Sequence, residues 1–381
     1  MPRIAAVNPF RYGGLALDEA FTDREAEVAE LVADARNGQD VVLFAPRRYG
    51  KTSLIWRVAQ ELVAERVLVA QVDLMTTPTR AKLAEKLAAT IYHDIASPLF
   101  RVKERLRVFS GLRVTPTVTV DPEDGSYSFS FTPSVAREDL DATLERLLEL
   151  PGRLTADRGR RVVLILDEFQ EIADIDPGLP KLMRAVFQQQ AEVSHIYLGS
   201  RRHMMRRIFS DANEPFWRSA KQLELDVIPA PAFRAHIAGR FEATGRHIRD
   251  DALDAVLEAT GGHPYGTQEL CYFVWQDTPP RGTATAERVA GAVTKVLRSE
   301  HAHFSLAWTR ASSGQRAVLQ ALAREPGHAL AAEYRARHGL PAASSVQKAL
   351  DALEREELVT RRRGLASISE PFLAAWLRQS A

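Results

Sequence analysis

Short apolar runs recur along the first 200 residues, each closing on polar or turn-forming residues. Val41-Val42-Leu43-Phe44 is the first, and Val67-Leu68-Val69-Ala70-Gln71-Val72-Asp73-Leu74 the second. Arg161-Val162-Val163-Leu164-Ile165-Leu166 and Ser194-His195-Ile196-Tyr197-Leu198-Gly199 follow. Runs this short and this apolar predict strands buried on both faces, as in parallel sheets. Between them lie stretches with helical spacing. One spans 23–36, where Asp23 can cap and Asn37-Gly38 can terminate; others are 52–60, 79–97 and 138–150, the last ending at Pro151-Gly152. Strands alternating with helices predict a parallel, doubly wound α/β sheet.

Two stretches break this alternation. Residues 114–120 and 126–131 each alternate polar with apolar around Asp121-Pro122-Glu123-Asp124-Gly125, which predicts a β-hairpin inserted at about 113–133. It is either a passive excursion or a contact element for a partner. Beyond about residue 230 strands cease, and 233–243, 251–259 and 266–275 read as a small helical domain with Gly261-Gly262-His263-Pro264 in one turn. From Ser313 the stretches 315–323, 329–337 and 344–356 read as helices. The basic strand–turn–strand Leu358–Ile368 completes a winged helix-turn-helix. The expected domains are a core at 1–230, a lid at 231–305 and a winged helix at 306–381.

The chemistry concentrates where apolar runs end. Val41–Phe44 leads into Ala45-Pro46-Arg47-Arg48-Tyr49-Gly50-Lys51-Thr52-Ser53 and then a helix. Strand, glycine-bearing loop and helix start form the context of a phosphate-binding loop. Unpaired backbone N–H groups and the positive helix dipole there face the phosphates. Lys51 would reach the β- and γ-phosphates, and Thr52 would place its hydroxyl on Mg²⁺. Ala45 stands where the motif has its first glycine, a substitution that forbids positive φ there. The plainer alternative is a chance Gly-Lys-Thr.

The third run ends in Asp167-Glu168-Phe169-Gln170. Carboxylates at the C-terminal end of a buried parallel strand sit where open α/β sheets bind ligands. Asp167 is placed to hold Mg²⁺ and Glu168 to polarise an attacking water; both could instead be ordinary turn formers. Ser200 and Arg201 close the fourth run and could sense a γ-phosphate. Asn8-Pro9-Phe10, just upstream of the loop, is placed to contact a nucleotide base. Pro264, rigid and without an N–H, could pack on the adenine face.

Composition narrows the class. The chain has 381 residues, 45% hydrophobic and 26% charged, ordinary for a soluble globular protein of two or three domains. Net charge is +1, so nucleic-acid affinity would need local patches. The single cysteine, Cys271, excludes an intramolecular disulfide and a cysteine metal site. No signal-peptide core and no run of transmembrane length is visible, so a cytoplasmic location is expected.

Together these residues resemble the archaeal-type, STAND/AAA-like P-loop ATPases with a C-terminal winged helix. The resemblance rests on Asn8-Pro9-Phe10, Asp23-Arg24-Glu25, the loop Ala45–Ser53, Leu166-Asp167-Glu168-Phe169 and Leu198-Gly199-Ser200. Gly261-Gly262-His263-Pro264 and Pro371-Phe372-Leu373-Ala374-Ala375-Trp376-Leu377 complete it. It implies an ATPase core, a helical lid and a winged helix. Arg201 would be the arginine after the sensor strand, and Pro264 would lie near adenine. The implied cofactors are ATP and Mg²⁺. The nucleotide contacts would come from Asn8, Pro9, Phe10, Pro46, Arg47, Arg48, Tyr49, Gly50, Lys51, Thr52, Ser53 and Pro264. Lys51, Glu168, Ser200 and Arg201 would be catalytic, with Thr52 and Asp167 on the metal. Arg206, Arg207 and Arg218 are candidates for a trans-acting arginine.

Three functions stay open on these residues. The leading one is an ATP-hydrolysing molecular switch whose lid and winged helix follow the nucleotide, with turnover slow or partner-stimulated. The others are a DNA-processing ATPase and a non-hydrolysing ATP-binding adaptor for protein partners. A homo-oligomer is compatible with each. The helix Ser344–Glu356 is poor in basic residues, whereas Arg361-Arg362-Arg363 is rich, so DNA and protein remain alternatives for the winged helix.

Overall fold

The computed structural model describes residues 7–14, 22–96, 114–120, 127–133, 137–156 and 159–380; within 114–120, 127–133 and 137–139, and at 380, only the backbone is described. Contact density divides the chain into two compact units. One holds 25–45 and 54–225; the other holds the first 24 residues, 46–53 and 226–381.

The first unit is built on β1 (Val41–Phe44), β2 (Leu68–Asp73), β5 (Val162–Asp167), β6 (Val193–Gly199) and β7 (Lys221–Glu224). They form one sheet in the order β2-β5-β6-β1-β7, parallel at every pairing. Every residue of β1 and β6 is buried, as is β5 up to Leu166, which the uninterrupted apolar runs require. β6 lies between β1 and β5. Phe44 pairs with Gly199, Leu166 with Tyr197, and Asp73 with Asp167, so the strands' C-terminal ends share one edge of the sheet. The helices α1 (Glu25–Arg36), α2 (Lys51–Ala64) and α3 (Arg80–Thr90) follow the apolar spacing. Phe169, Tyr197, Phe209 and Phe216 make an aromatic cluster with ring centroids 4.7–5.7 Å apart.

Two elements of this unit differ from expectation. α1 starts at Glu25, not Asp23, because Asp23 and Arg24 both have positive φ, 58° and 79°, unlike an extended N-cap residue. The helix expected to end before Pro151 runs from Arg137 to Thr155. Proline costs about 3 kcal/mol in a helix interior. Here Leu147, Leu148, Leu150 and Leu154 are buried on either side of it, and Thr155 donates to the carbonyls of Pro151 and Gly152. Core burial on that scale outweighs the lost hydrogen bond. The hairpin is present as β3 (Val114–Val120) and β4 (Tyr127–Pro133), antiparallel from Val114 opposite Pro133 to Val120 opposite Tyr127. Its turn at Asp121–Gly125 lies outside the described residues.

In the second unit the helices Ala230–Ala243, Asp250–Thr260, Pro264–Asp277 and Ala286–Ser299 enclose a core of Phe233, Ile237, Phe241, Leu253, Val256, Leu270 and Val296. The last helix and His301–Arg310 go beyond those read from the sequence. Strands do not cease entirely, since His247–Ile248 (β8) and Thr283–Ala284 (β9) form a two-residue parallel pair. The helices Ser313–Arg324, Ala332–His338 and Ala343–Arg355 precede β10 (Val359–Arg362), β11 (Leu365–Ile368) and a final helix from Pro371. Ser312 and Gln315 close a reciprocal capping box on the first of them. Arg363 and Gly364, at φ 50° and 83°, supply the left-handed pair that a two-residue hairpin turn needs.

Candidate nucleotide site

The loop after β1 meets the backbone demands of phosphate binding without a glycine at Ala45. Ala45 is fully buried and is not among the positive-φ residues; the left-handed positions are Arg48 (φ 66°) and Gly50 (φ 81°). The absent first glycine therefore costs the loop nothing in backbone strain. α2 begins at Lys51, so the amides of Lys51, Thr52 and Ser53 lack intrahelical partners and face outward from the helix start. Lys51 and Ser53 are buried, and Thr52 is exposed.

The loop's long side chains are turned to other partners within the same unit. Arg47 Nε pairs with Glu357 at 2.9 Å. Arg48 Nη1 donates to Glu370 at 2.9 Å and lies 3.8 Å from Glu300, with its guanidinium 4.2 Å from the centre of the Tyr265 ring. Tyr49 meets His263 edge-on at 4.9 Å. Burial and the nearby Arg48 charge push His263 down to about 4. Its neutral Nδ1 accepts from the Gly266 amide and caps the helix Pro264–Asp277.

Gly261 and Gly262 have φ of 57° and 76°, and a side chain at Gly262 would collide with the Ile228 carbonyl. This turn delivers Pro264, half-buried, as the first residue of its helix. Asn8 donates to the Tyr272 carbonyl and accepts from the Phe10 amide. Phe10 is buried against Phe241 at 5.5 Å, so its ring belongs to the helical core. Of the Asn8-Pro9-Phe10 segment, only Asn8 and Pro9 retain accessible surface.

At the C-terminal edge of the sheet, Asp167 Oδ1 accepts from the Glu168 amide at 2.9 Å. Glu168 is left-handed, with φ 50° and ψ 46°. Its Oε2 accepts from Ser200 Oγ at 2.9 Å, from the Ser200 amide at 3.3 Å and from Gln170 Nε2. Arg201 lies 3.4 Å from Glu171. The structure thus brings Asp167, Glu168, Ser200 and Arg201 together at the ends of β5 and β6. Arg206 is 3.8 Å from Glu224, Arg207 pairs with Glu214 at 3.0 Å, and Arg218 lies 5.7 Å from the Trp217 ring.

Several residues of this neighbourhood escaped the sequence reading. Asp73 ends β2 in register with Asp167, and its Oδ1 accepts from Met75 N at 2.9 Å. Its place at the end of an apolar run could have flagged it. Glu269, Glu300 and Glu370 surround Arg48 from distant parts of the chain, and no local signal points to them. Glu269 is fully buried with neither oxygen hydrogen-bonded; burial and the charges of Glu300 and Glu370 push it up to about 8.

A model of the ATPase domain predominantly from Archaea matches residues 21–270, and the chain belongs to that family. A model described as a probable winged helix domain matches residues 302–379. No curated protein matches the sequence. Among solved structures, the chain is similar to the Walker-type ATPase PABY2304 of Pyrococcus abyssi. The two are 16% identical over 96% of this chain and 98% of that one, with a TM-score of 0.64. It is also similar to the ORC2 protein of Aeropyrum pernix, solved as ADPNP–ADP complexes: 14% identity, 93% of each chain, TM-score 0.53. At such identities the likeness is one of fold. Fold and family together define an archaeal-type P-loop ATPase protein with a C-terminal winged helix. Among the described residues no helix is long and apolar enough to cross a membrane.

Proposed function

We propose that the protein is an ATP-hydrolysing molecular switch of the STAND/AAA-like kind, with a core at 1–230 carrying the hairpin insertion, a lid at 231–305 and a winged helix at 306–381. The phosphates of ATP lie on the amides of the loop Pro46–Ser53, and Lys51 neutralises their charge. Thr52 and Asp167 hold Mg²⁺; a hydroxyl and a carboxylate are the hard oxygen donors this ion takes. Mg²⁺ held there would offset the charge that develops on the phosphoryl oxygens. Glu168 polarises the attacking water, while Ser200 and Arg201 contact the γ-phosphate. Asn8, Pro9 and Pro264 form the base pocket, and the lone buried thiol suits a cytoplasmic setting.

One observation carries the switch reading. Three consecutive side chains of the phosphate loop, Arg47, Arg48 and Tyr49, are held by Glu357, Glu370, Glu300, Tyr265 and His263. These partners belong to the proposed lid and winged helix. A polyanion arriving on the loop competes with those carboxylates for the arginines, giving nucleotide different contacts in the two states, as a population shift requires. Limited proteolysis around residues 225–235 tests this: saturating ATP should change the cleavage rate several-fold, and Arg48→Ala should abolish the response. Equal cleavage with and without ATP, in protein shown to bind it, refutes the switch.

A DNA-processing role is less well supported, because two of the wing's three arginines are engaged internally. Arg361 binds Asp351 at 2.8 Å and also Glu354, both on the helix Ala343–Arg355, while Arg362 pairs with Asp226 at 2.5 Å. A salt titration of duplex binding separates the readings. Little affinity and a shallow dependence on salt favour a protein or second copy as the partner.

A further inference from the structure

Gln170 is fully buried two residues beyond Glu168. Its amide nitrogen has two hydrogens and two acceptors: Glu168 Oε2, and Glu171 Oε1 at 3.3 Å. The opposite orientation would aim the amide carbonyl at two carboxylates, so the nitrogen faces them. The carbonyl Oε1 has no hydrogen-bond partner. A buried, unpaired acceptor costs about 1–3 kcal/mol and is rare in native proteins. Apolar residues of similar volume would fill this space without that cost.

The surroundings are shaped to keep this amide in place. A Cβ at Gly199 would collide with Gln170 Oε1 and with Met205, so the end of β6 must be glycine for Gln170 to occupy its position. Glu171 Oε1, the second acceptor, also lies 3.4 Å from Arg201 Nη1. One nitrogen therefore stands between Glu168 and the counter-ion of Arg201. Glu168 needs such a hold, because its left-handed backbone is disfavoured by about 1–2 kcal/mol for a side chain of this kind.

We propose that Gln170 is a positioning residue: its amide fixes the Glu168 carboxylate and ties that carboxylate's orientation, through Glu171, to the engagement of Arg201. When Arg201 leaves Glu171 for a phosphate, Glu171 and the Gln170 amide relax together and Glu168 is re-aimed. The proposal rests on the catalytic role of Glu168 given above.

The test uses Gln170→Met, which keeps the volume and removes both donors, in the full chain. Single-turnover ATP hydrolysis, ADPNP affinity and thermal unfolding are measured for each variant. The expected result is a fall in kcat of about tenfold or more with ADPNP affinity within about twofold of the parent. In a Glu168→Gln background the same substitution should change the rate less than about twofold, since the side chain it positions is already disabled. Unchanged kcat in Gln170→Met, or an equal fall in the Glu168→Gln background, overturns the proposal. If Gln170→Met does not fold, Glu171→Gln decides, because Glu171 lies at the surface edge of the network: a kcat loss of about threefold with unchanged ADPNP affinity supports the link, and no loss overturns it. Should Glu168→Gln itself leave hydrolysis unchanged, the catalytic assignment fails first, which separates the two readings.

Discussion

The arginines of the phosphate loop and the carboxylates ending β5 are held in different ways. Arg47 and Arg48 sit in ion pairs whose cationic partners are 61% and 33% exposed. Such pairs contribute about 0–1 kcal/mol each and weaken with salt. Glu168 instead has three donors on one oxygen, two of them from the buried Ser200 and one from the buried Gln170. Buried, mutually supporting hydrogen bonds resist rearrangement, because breaking one leaves a desolvated group unpaired. On the proposed reading the two regions divide the labour: the loop's partners are weak enough to exchange for phosphate, whereas Glu168, the carboxylate proposed to be catalytic, is held firmly enough to be aimed.

The largest effect should fall on the firmly held side. Glu168→Gln keeps size but cannot take a proton, and hydrolysis should drop by about 10²-fold or more with ATP affinity retained. A rate assay beside equilibrium nucleotide binding checks this, and equal losses in both would erase the distinction between the regions. Next comes Lys51→Ala, which removes a charged contact worth about 1.5–3 kcal/mol and should weaken ATP binding by about 10–150-fold. Titration with a fluorescent ATP analogue reads the change; parent-like affinity would move the phosphate site elsewhere.

A third test is pH. Glu269 faces Tyr12, Tyr265, Arg48, Glu300 and Glu370, and its folded-state value of about 8 lies above its ordinary 4.5. The folded state therefore holds a proton that the unfolded chain has lost, and stability falls as pH rises from about 4.5 through about 8. The slope is at most about 1.4 kcal/mol per pH unit for one proton. Glu269→Gln should flatten that part of the profile in denaturant melts and be the more stable protein above pH 8. His263 acts in the opposite sense, since its lowered value removes stability as pH falls from about 6.5 towards 4. A wild-type slope that survives in Glu269→Gln would assign it to another group.

The smallest effect concerns the soft side itself. Glu370→Gln removes one competitor for Arg48 and should tighten ATP binding by about two- to fivefold at low salt, with the gain lost at high salt. Calorimetric titration at two ionic strengths measures it. A salt-independent change would show that Glu370 acts through packing instead of charge.

Much of this arrangement was legible from local pattern. Val41–Phe44 and Val162–Leu166 announce buried strands because a continuous apolar run of that length has few other homes. Gly50-Lys51-Thr52 announces a helix start on a tight turn, and Gly261-Gly262 a left-handed bend that few other residues tolerate. These signals act over a few residues, through sterics and solvent exclusion, so one chain suffices to read them. The continuation of a helix through Pro151 was not legible, because local propensity opposes it and only the core that its leucines enter decides the outcome. The strand order was not legible either: nothing within β1 or β5 says that β6 lies between them. Arg48 and Glu370 are 322 residues apart in sequence. Their pairing, the burial of Glu269 without a partner and the shared amide of Gln170 depend on which surfaces meet after the chain has folded. The sequence determined the loop, the acidic strand end and the winged helix as types; only tertiary packing decided which charges oppose which, because complementarity between distant segments leaves no periodic trace in either one.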